Sequence, residues 1–251
     1  MEKQEEKVLK ASHLVFVHGA MHGAWCWYKV RSLLESLGYK VSCLDLKSSG
    51  IDLSDPNTIS SFEEYNNPLF HFLSNLKDDE KVILVGHSLG GLSLTHSIQE
   101  FGNKIHVAVY ICAAMLPLCQ KQDIPMDIWE KGYAHGVDKP PTSLILKKEL
   151  QLDLLYHLCP VQDLTLASML LRPFPAIMLK DVRFNGGGDM DKVKRVFIKT
   201  MHDRMMRPEV QDQLIQMWPP SKVLGIESDH SPFFSAPTQL INLLLEAMAH
   251  E

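Results

Sequence analysis

The chain has no C-x-x-C pair, and its five cysteines (Cys26, Cys43, Cys112, Cys119 and Cys159) are scattered and odd in number. That pattern argues against a complete disulfide framework and leaves buried thiols that pack as small hydrophobes. No apolar run approaches the roughly 20 residues a helix needs to cross a bilayer. The N-terminus, Met1-Glu2-Lys3-Gln4-Glu5-Glu6-Lys7, lacks the apolar stretch of a secretory signal, so residues 1–12 read as a flexible tail on a cytoplasmic protein. Basic charge is not in excess either. The formal net charge is −5, which removes nucleic acid and anionic membranes from the expected partners and leaves small-molecule chemistry. No internal repeat or low-complexity tract is present.

What is there is an ordinary globular composition, with 45% hydrophobic and 22% charged residues over 251 positions, enough for one large core. Leu14-Val15-Phe16-Val17 is a short apolar run ending in His18-Gly19-Ala20, which reads as a buried strand and a turn. Val30, Leu33, Leu34 and Leu37 then fall at helical spacing, Gly38 stops the helix, and residues 39–44 form a second strand. The alternation recurs: helix 61–76, strand 81–85, helix 89–101, strand 106–111. Such a pattern predicts a mostly parallel sheet with helices on both faces and ligands at the carboxyl ends of the strands. From about 117 to 188 the alternation stops, so this segment is read as a partly helical cap inserted into a single domain spanning 13–251. Strand 193–198, a helix from about 208 to 217, strand 222–226 and a terminal helix from 237 complete the domain.

Gly86-His87-Ser88-Leu89-Gly90 fits G-x-S-x-G and lies between a strongly apolar strand and a helix, the context in which the motif is a nucleophile elbow. The glycines on either side let strand and helix approach without a side chain between them, so the Ser88 hydroxyl projects at the top of the sheet. These features together predict an α/β-hydrolase fold. A serine hydroxyl needs a base, and the base needs an orienting acid; in this fold they follow in the order Ser, acid, His. Asp203 lies in the loop after strand 193–198, and His230 in the loop after strand 222–226. His230 is the expected general base and Asp203 its acid, with Asp229 the rival. The expected oxyanion donors are the amides of Leu89, after the nucleophile, and Ala20, after the first strand. His18, His22 and His87 stand in loops that converge at the strand ends, but no H-E-x-x-H or similar ligand spacing occurs, so no metal or cofactor is expected.

The stretches Val17-His18-Gly19-Ala20, His22-Gly23-Ala24-Trp25-Cys26-Trp27, residues 81–91, Leu155-Tyr156-His157-Leu158-Cys159-Pro160 and Ser228-Asp229-His230 carry a resemblance over nearly the whole chain. It resembles the plant methylesterase and hydroxynitrile lyase family. The resemblance implies hydrolysis of the methyl ester of a small plant signal or specialised metabolite. Asp45-Leu46-Lys47-Ser48-Ser49-Gly50, Trp218-Pro219-Pro220-Ser221 and Ser231-Pro232-Phe233-Phe234-Ser235 look most like the branch acting on methyl indole-3-acetate. Family members commonly pair as homodimers, which makes a second copy a candidate partner.

Lyases of the family carry threonine where this chain has Gly19 and lysine where it has Ser231, and that lysine's charge would stabilise departing cyanide. Both differences favour an esterase over a hydroxynitrile lyase. A hormone receptor built on the same fold, with a pocket that binds and an idle triad, is the other alternative. Gly19, His22, Trp129, Tyr133, Tyr156 and Phe174 are the candidate pocket residues for an acyl group, set against the plainer reading that the aromatic side chains among them only pack the cap.

Overall fold

The computed structural model describes residues 13–115, 125–180, 182, 184 and 190–249. The predicted tail 1–12 and both ends of the predicted insertion lie outside the described residues.

Six strands form one sheet: β1 (His13–Val17), β2 (Lys40–Leu44), β3 (Val82–His87), β4 (Ile105–Ile111), β8 (Lys194–Thr200) and β9 (Lys222–Ile226). Every neighbouring pair is parallel, in the order β2-β1-β3-β4-β8-β9. The central strands are the apolar runs read from the sequence. Leu14 to Val17 and Val82 to Val85 are buried, as a sheet covered on both faces demands.

The helices follow from local signals. Between β1 and β2 runs α1 (Tyr28–Ser36), which buries Val30 and Leu34. Helix α2 (Phe62–Ser74) starts at Ser61, whose hydroxyl accepts the Glu64 amide while the Glu64 carboxylate accepts the Ser60 amide. Helix α3 (Gly90–Phe101) springs directly from the end of β3. The order reverses at β1: the first crossover runs outward to β2 and the later ones run back through β3 and β4. Right-handed crossovers then put α1 on one face and α2 and α3 on the other. The crevice at this switch point, between the ends of β1 and β3, is where such sheets hold ligands.

The segment read as a partly helical cap contains both helices and strands. It holds α4 (Lys148–Leu155) and α5 (Val161–Leu170), and also an antiparallel sheet of β5 (Trp129–Gly132), β6 (Ser143–Leu146) and β7 (Phe174–Pro175). After β8 come α6 (Pro208–Met217), then β9, the short α7 (Pro232–Ser235) and α8 (Pro237–Ala249), which packs on α1.

The cap is fixed to α1 and to the loop after β2 by polar joints. Tyr28 Oη (2.7 Å) and Lys29 Nζ both reach the buried Asp163 carboxylate of α5. Thr142 and Ser143 hydroxyls donate to Asn57 Oδ1 at 2.5 and 2.9 Å, and Arg172 donates to the carbonyls of Gly50 and Asp52. No helix among the described residues is long and apolar enough to cross a membrane.

Candidate active site

The site is built where four strands end. Ser88 follows β3 with φ of +52°, the left-handed region that a non-glycine residue enters only when its surroundings force it. Three backbone bonds force it here: Ser88 N–H donates to Ile111 O at 3.1 Å, and Ser88 O accepts the amides of Gly91 and Ala114 at 3.1 and 3.0 Å. Gly90 makes the turn sterically feasible, since a Cβ there would stand 2.5 Å from His18 O.

His230 Nε2 lies 3.1 Å from Ser88 Oγ, and His230 Nδ1 lies 2.8 Å from Asp203 Oδ2. A carboxylate on one nitrogen fixes the tautomer and leaves the other nitrogen free to take a hydroxyl proton. Asp203 is itself oriented by four donors: Thr200 Oγ1 and His230 on Oδ2, the amides of Met205 and Met206 on Oδ1. Asp229 makes none of these contacts. Its carboxylate accepts Leu158 N at 2.8 Å, Ser231 N at 3.0 Å and Ser235 Oγ at 2.9 Å, with Cys159 Sγ at 3.3 Å, so it faces the cap.

Leu89 follows the serine and Ala20 follows Gly19, which stands against it; both are half-buried, and among the described residues neither amide has an acceptor. Leu89 also caps the N-terminal end of α3, where the helix dipole favours a developing negative charge. Two free amides near a serine bonded to an imidazole can stabilise an oxyanion.

Three residues to which the sequence reading gives no catalytic part support this arrangement. His87 Nε2 donates to the His230 carbonyl at 2.7 Å, Cys112 Sγ lies 3.6 Å from that same oxygen, and Thr200 holds Asp203. His87 is part of the elbow motif, but nothing in the motif says where its ring points. His87, Cys112 and His230 offer ligand atoms within 4.8 Å of one another. Both His230 nitrogens and His87 Nε2 are already committed to hydrogen bonds, so a cation there would have to dismantle them.

The histidines of the other loops are likewise engaged. His18 Nδ1 donates to Gly19 O at 2.8 Å while Nε2 accepts Leu46 N at 3.2 Å. His22 Nδ1 donates to Ala20 O at 2.9 Å, and Tyr156 Oη donates to His22 Nε2 at 2.7 Å. Burial lowers the pKa of His22 to about 3 and pushes that of His87 well below the ordinary value, the nearby His230 adding to the latter, so both rings are neutral.

The candidate pocket residues divide. Gly19 stands against Ser88 and His87. His22 and Tyr156 are buried and bonded to each other, whereas Trp129 and Phe174 meet edge to face (centroids 5.7 Å apart) in the cap sheet. Tyr133, half-buried after β5, is not drawn into that pair. A Cβ on Gly19 would stand 2.8 Å from His87 Nδ1 and 2.9 Å from Ser88 Cβ. Gly19→Thr is therefore expected to displace the elbow. We expect kcat to fall at least about tenfold and stability by about 1–3 kcal/mol, as overpacking typically costs. Steady-state kinetics and thermal unfolding of the variant check both.

Comparison with known proteins gives the family. The Alpha/beta hydrolase family pattern matches residues 14–243. The chain is 46% identical to Methylesterase 17 of Arabidopsis thaliana, over 98% of this chain and 96% of the relative. It is 45% identical to the pheophorbidase of Raphanus sativus, over 94% of each. The crystal structure of the methylesterase MES16 from Arabidopsis matches with a TM-score of 0.89 at 45% identity, covering 94% of this chain and 98% of that one. The chain belongs to the α/β hydrolase family and, within it, to the plant methylesterases. By class it is a carboxylesterase.

Proposed function

We propose that the protein hydrolyses the methyl ester of a small plant signal or specialised metabolite, with methyl indole-3-acetate the leading substrate, through an acyl-enzyme formed on Ser88. The observation that carries the reading is the line Ser88 Oγ to His230 Nε2 (3.1 Å) and His230 Nδ1 to Asp203 Oδ2 (2.8 Å). In it His230 takes the Ser88 proton as the oxygen attacks the ester carbonyl, and Asp203 stabilises the imidazolium. The amides of Ala20 and Leu89 receive the oxyanion, each worth about 3 kcal/mol of barrier. His230 returns the proton to the departing methoxide, which leaves as methanol, and then activates water to cleave the acyl-enzyme by the reverse sequence. No cofactor enters any step.

Support for an ester over a cyanohydrin comes from Ser231. It is wholly buried at the start of α7, its amide donating to Asp229, and it offers no cation to a leaving cyanide. Support for indole-3-acetate comes from the resemblance at residues 45–50, 218–221 and 231–235. Free thiols at Cys26, Cys43, Cys112 and Cys159 favour a reducing compartment, consistent with the cytoplasm.

The experiment is a side-by-side assay of methanol release from methyl esters of indole-3-acetate, jasmonate, salicylate, a gibberellin and an alkaloid acid. A pheophorbide ester belongs in it too, prompted by the name of the Raphanus sativus relative. Repeated turnover is expected, fastest on methyl indole-3-acetate, and Ser88→Ala should abolish it. Tight binding without turnover would sink the esterase reading in favour of a receptor.

A further inference from the structure

One turn of the cap reaches both loops that flank Ser88. This turn, Tyr156 to Cys159, joins α4 to α5. At its start Tyr156, wholly buried, donates its hydroxyl to His22 Nε2 at 2.7 Å. His22 passes the contact on, because an imidazole that accepts at Nε2 must carry its proton on Nδ1, and Nδ1 lies 2.9 Å from the Ala20 carbonyl. That carbonyl belongs to Ala20, the residue whose amide is the proposed second oxyanion donor. At its other end the turn offers the Leu158 amide (2.8 Å) and the Cys159 thiol (3.3 Å) to Asp229, the residue before His230.

We propose that Tyr156 is a positioning residue for the catalytic reaction, acting through neutral His22 on the Ala20 loop. Through it the cap turn sets the spacing between the oxyanion donors and the histidine base. The proposal rests on the esterase reading above and adds a role for the cap that is separate from choosing the substrate.

The relay is rigid for two reasons. His22 stacks on Trp25 (centroids 5.5 Å, planes 25° apart) and meets Phe233 edge on (5.7 Å, 76°), so its ring cannot swing away from Ala20. Burial also keeps it uncharged. A second proton would leave Nε2 with no lone pair for Tyr156 and would put a cation among the Trp25, Tyr156 and Phe233 rings. The facing titratable groups, His18, His87, His230 and Tyr156, supply no compensating negative charge. Met21, next in the chain, is held with φ of +66° and bonds the cap as well, its carbonyl accepting Arg172 N and its Sδ the Leu146 amide. The oxyanion loop is thus fixed by the cap at consecutive residues.

A hydroxyl that tunes geometry differs from one that lines a pocket. Tyr156→Phe keeps the ring and deletes only the donor to His22. Because displacement of catalytic groups by a fraction of an ångström costs one to two orders of magnitude, we expect kcat to fall about tenfold or more while KM stays within about twofold. The affinity of a trifluoromethyl ketone, which forms a tetrahedral adduct on the serine, should drop by the same factor as kcat/KM. His22→Asn places an amide N–H where Nδ1–H stood and should retain more activity than His22→Leu, although leucine suits the surrounding aromatic rings better.

The idea is overturned if Tyr156→Phe raises KM with kcat unchanged, which would make Tyr156 a pocket wall. It is equally overturned if His22→Leu matches or exceeds His22→Asn, which would make His22 mere packing. Should Tyr156→Phe not fold, the His22 pair alone decides. A fluorophosphonate separates the two levels: failure of the unaltered enzyme to react with it overturns the esterase reading itself. Reaction of the unaltered enzyme and of Tyr156→Phe at equal rates overturns only the positioning role.

Discussion

Replacing Asp203 with asparagine is expected to lower kcat by about four orders of magnitude with the fold intact. The environment of the carboxylate explains why so small a change does so much. Oδ1 accepts the amides of Met205 and Met206, and only an oxygen can do that, so the new amide nitrogen must take the place of Oδ2. There it meets His230 Nδ1 and the Thr200 hydroxyl. An N–H pointing at Nδ1 drives the imidazole proton to Nε2, the nitrogen that has to accept from Ser88. The base is then present, correctly placed and in the wrong tautomer. Asp229→Asn is the matched control, because its carboxylate binds Leu158 N, Ser231 N and Ser235 Oγ and does not touch His230. Its cost should appear as about 1–3 kcal/mol of stability, from donors left without an acceptor, with kcat within about tenfold. Measuring kcat and unfolding midpoints for the two variants decides between them. An exchange of the two phenotypes would move the acid to Asp229.

That choice between rival acids was legible from chain order and strand ends, as was the core around them. The parallel core was legible because strands covered on both faces are written as unbroken apolar runs, and Val82 to Val85 is one. The elbow was legible because its glycines are imposed by backbone approach. The cap was less so: β5 is only Trp-Glu-Lys-Gly, too short and too polar for a period-two signal, and its pairing with β6 is a long-range fact. Contacts through a single hydroxyl or ring nitrogen left no pattern at all. Tyr156 reads as an aromatic residue of the cap, a candidate pocket wall, whereas its bond to His22 crosses 134 positions. His87 likewise reads as the variable letter of a motif, and its grip on the His230 carbonyl spans 143.

The same buried imidazoles make the fold sensitive to acid, and the expected effect is large. His18, His22 and His87 are all held neutral, chiefly because burial penalises the charged ring, and for His22 the folded value is about 3. In the unfolded chain each titrates near 6.5, so below that pH the unfolded state binds protons that the folded state refuses, and acidification favours unfolding. Above 6.5 the penalty vanishes. Between 6.5 and its folded value of about 3, His22 alone adds about 1.4 kcal/mol per pH unit, and His18 and His87 act in the same direction. Against the usual 5–15 kcal/mol of domain stability, this is a sizeable fraction within two units. We therefore expect urea midpoints to be steady from pH 8 to 7 and to fall below pH 6.5, with net proton uptake on unfolding at pH 5 to which His22 contributes close to one proton. A flat midpoint between pH 7 and 5 would mean that these rings accept charge in place, which the paired acceptors and donors of His18 and His22 do not permit without breaking the contacts to Leu46 and Tyr156.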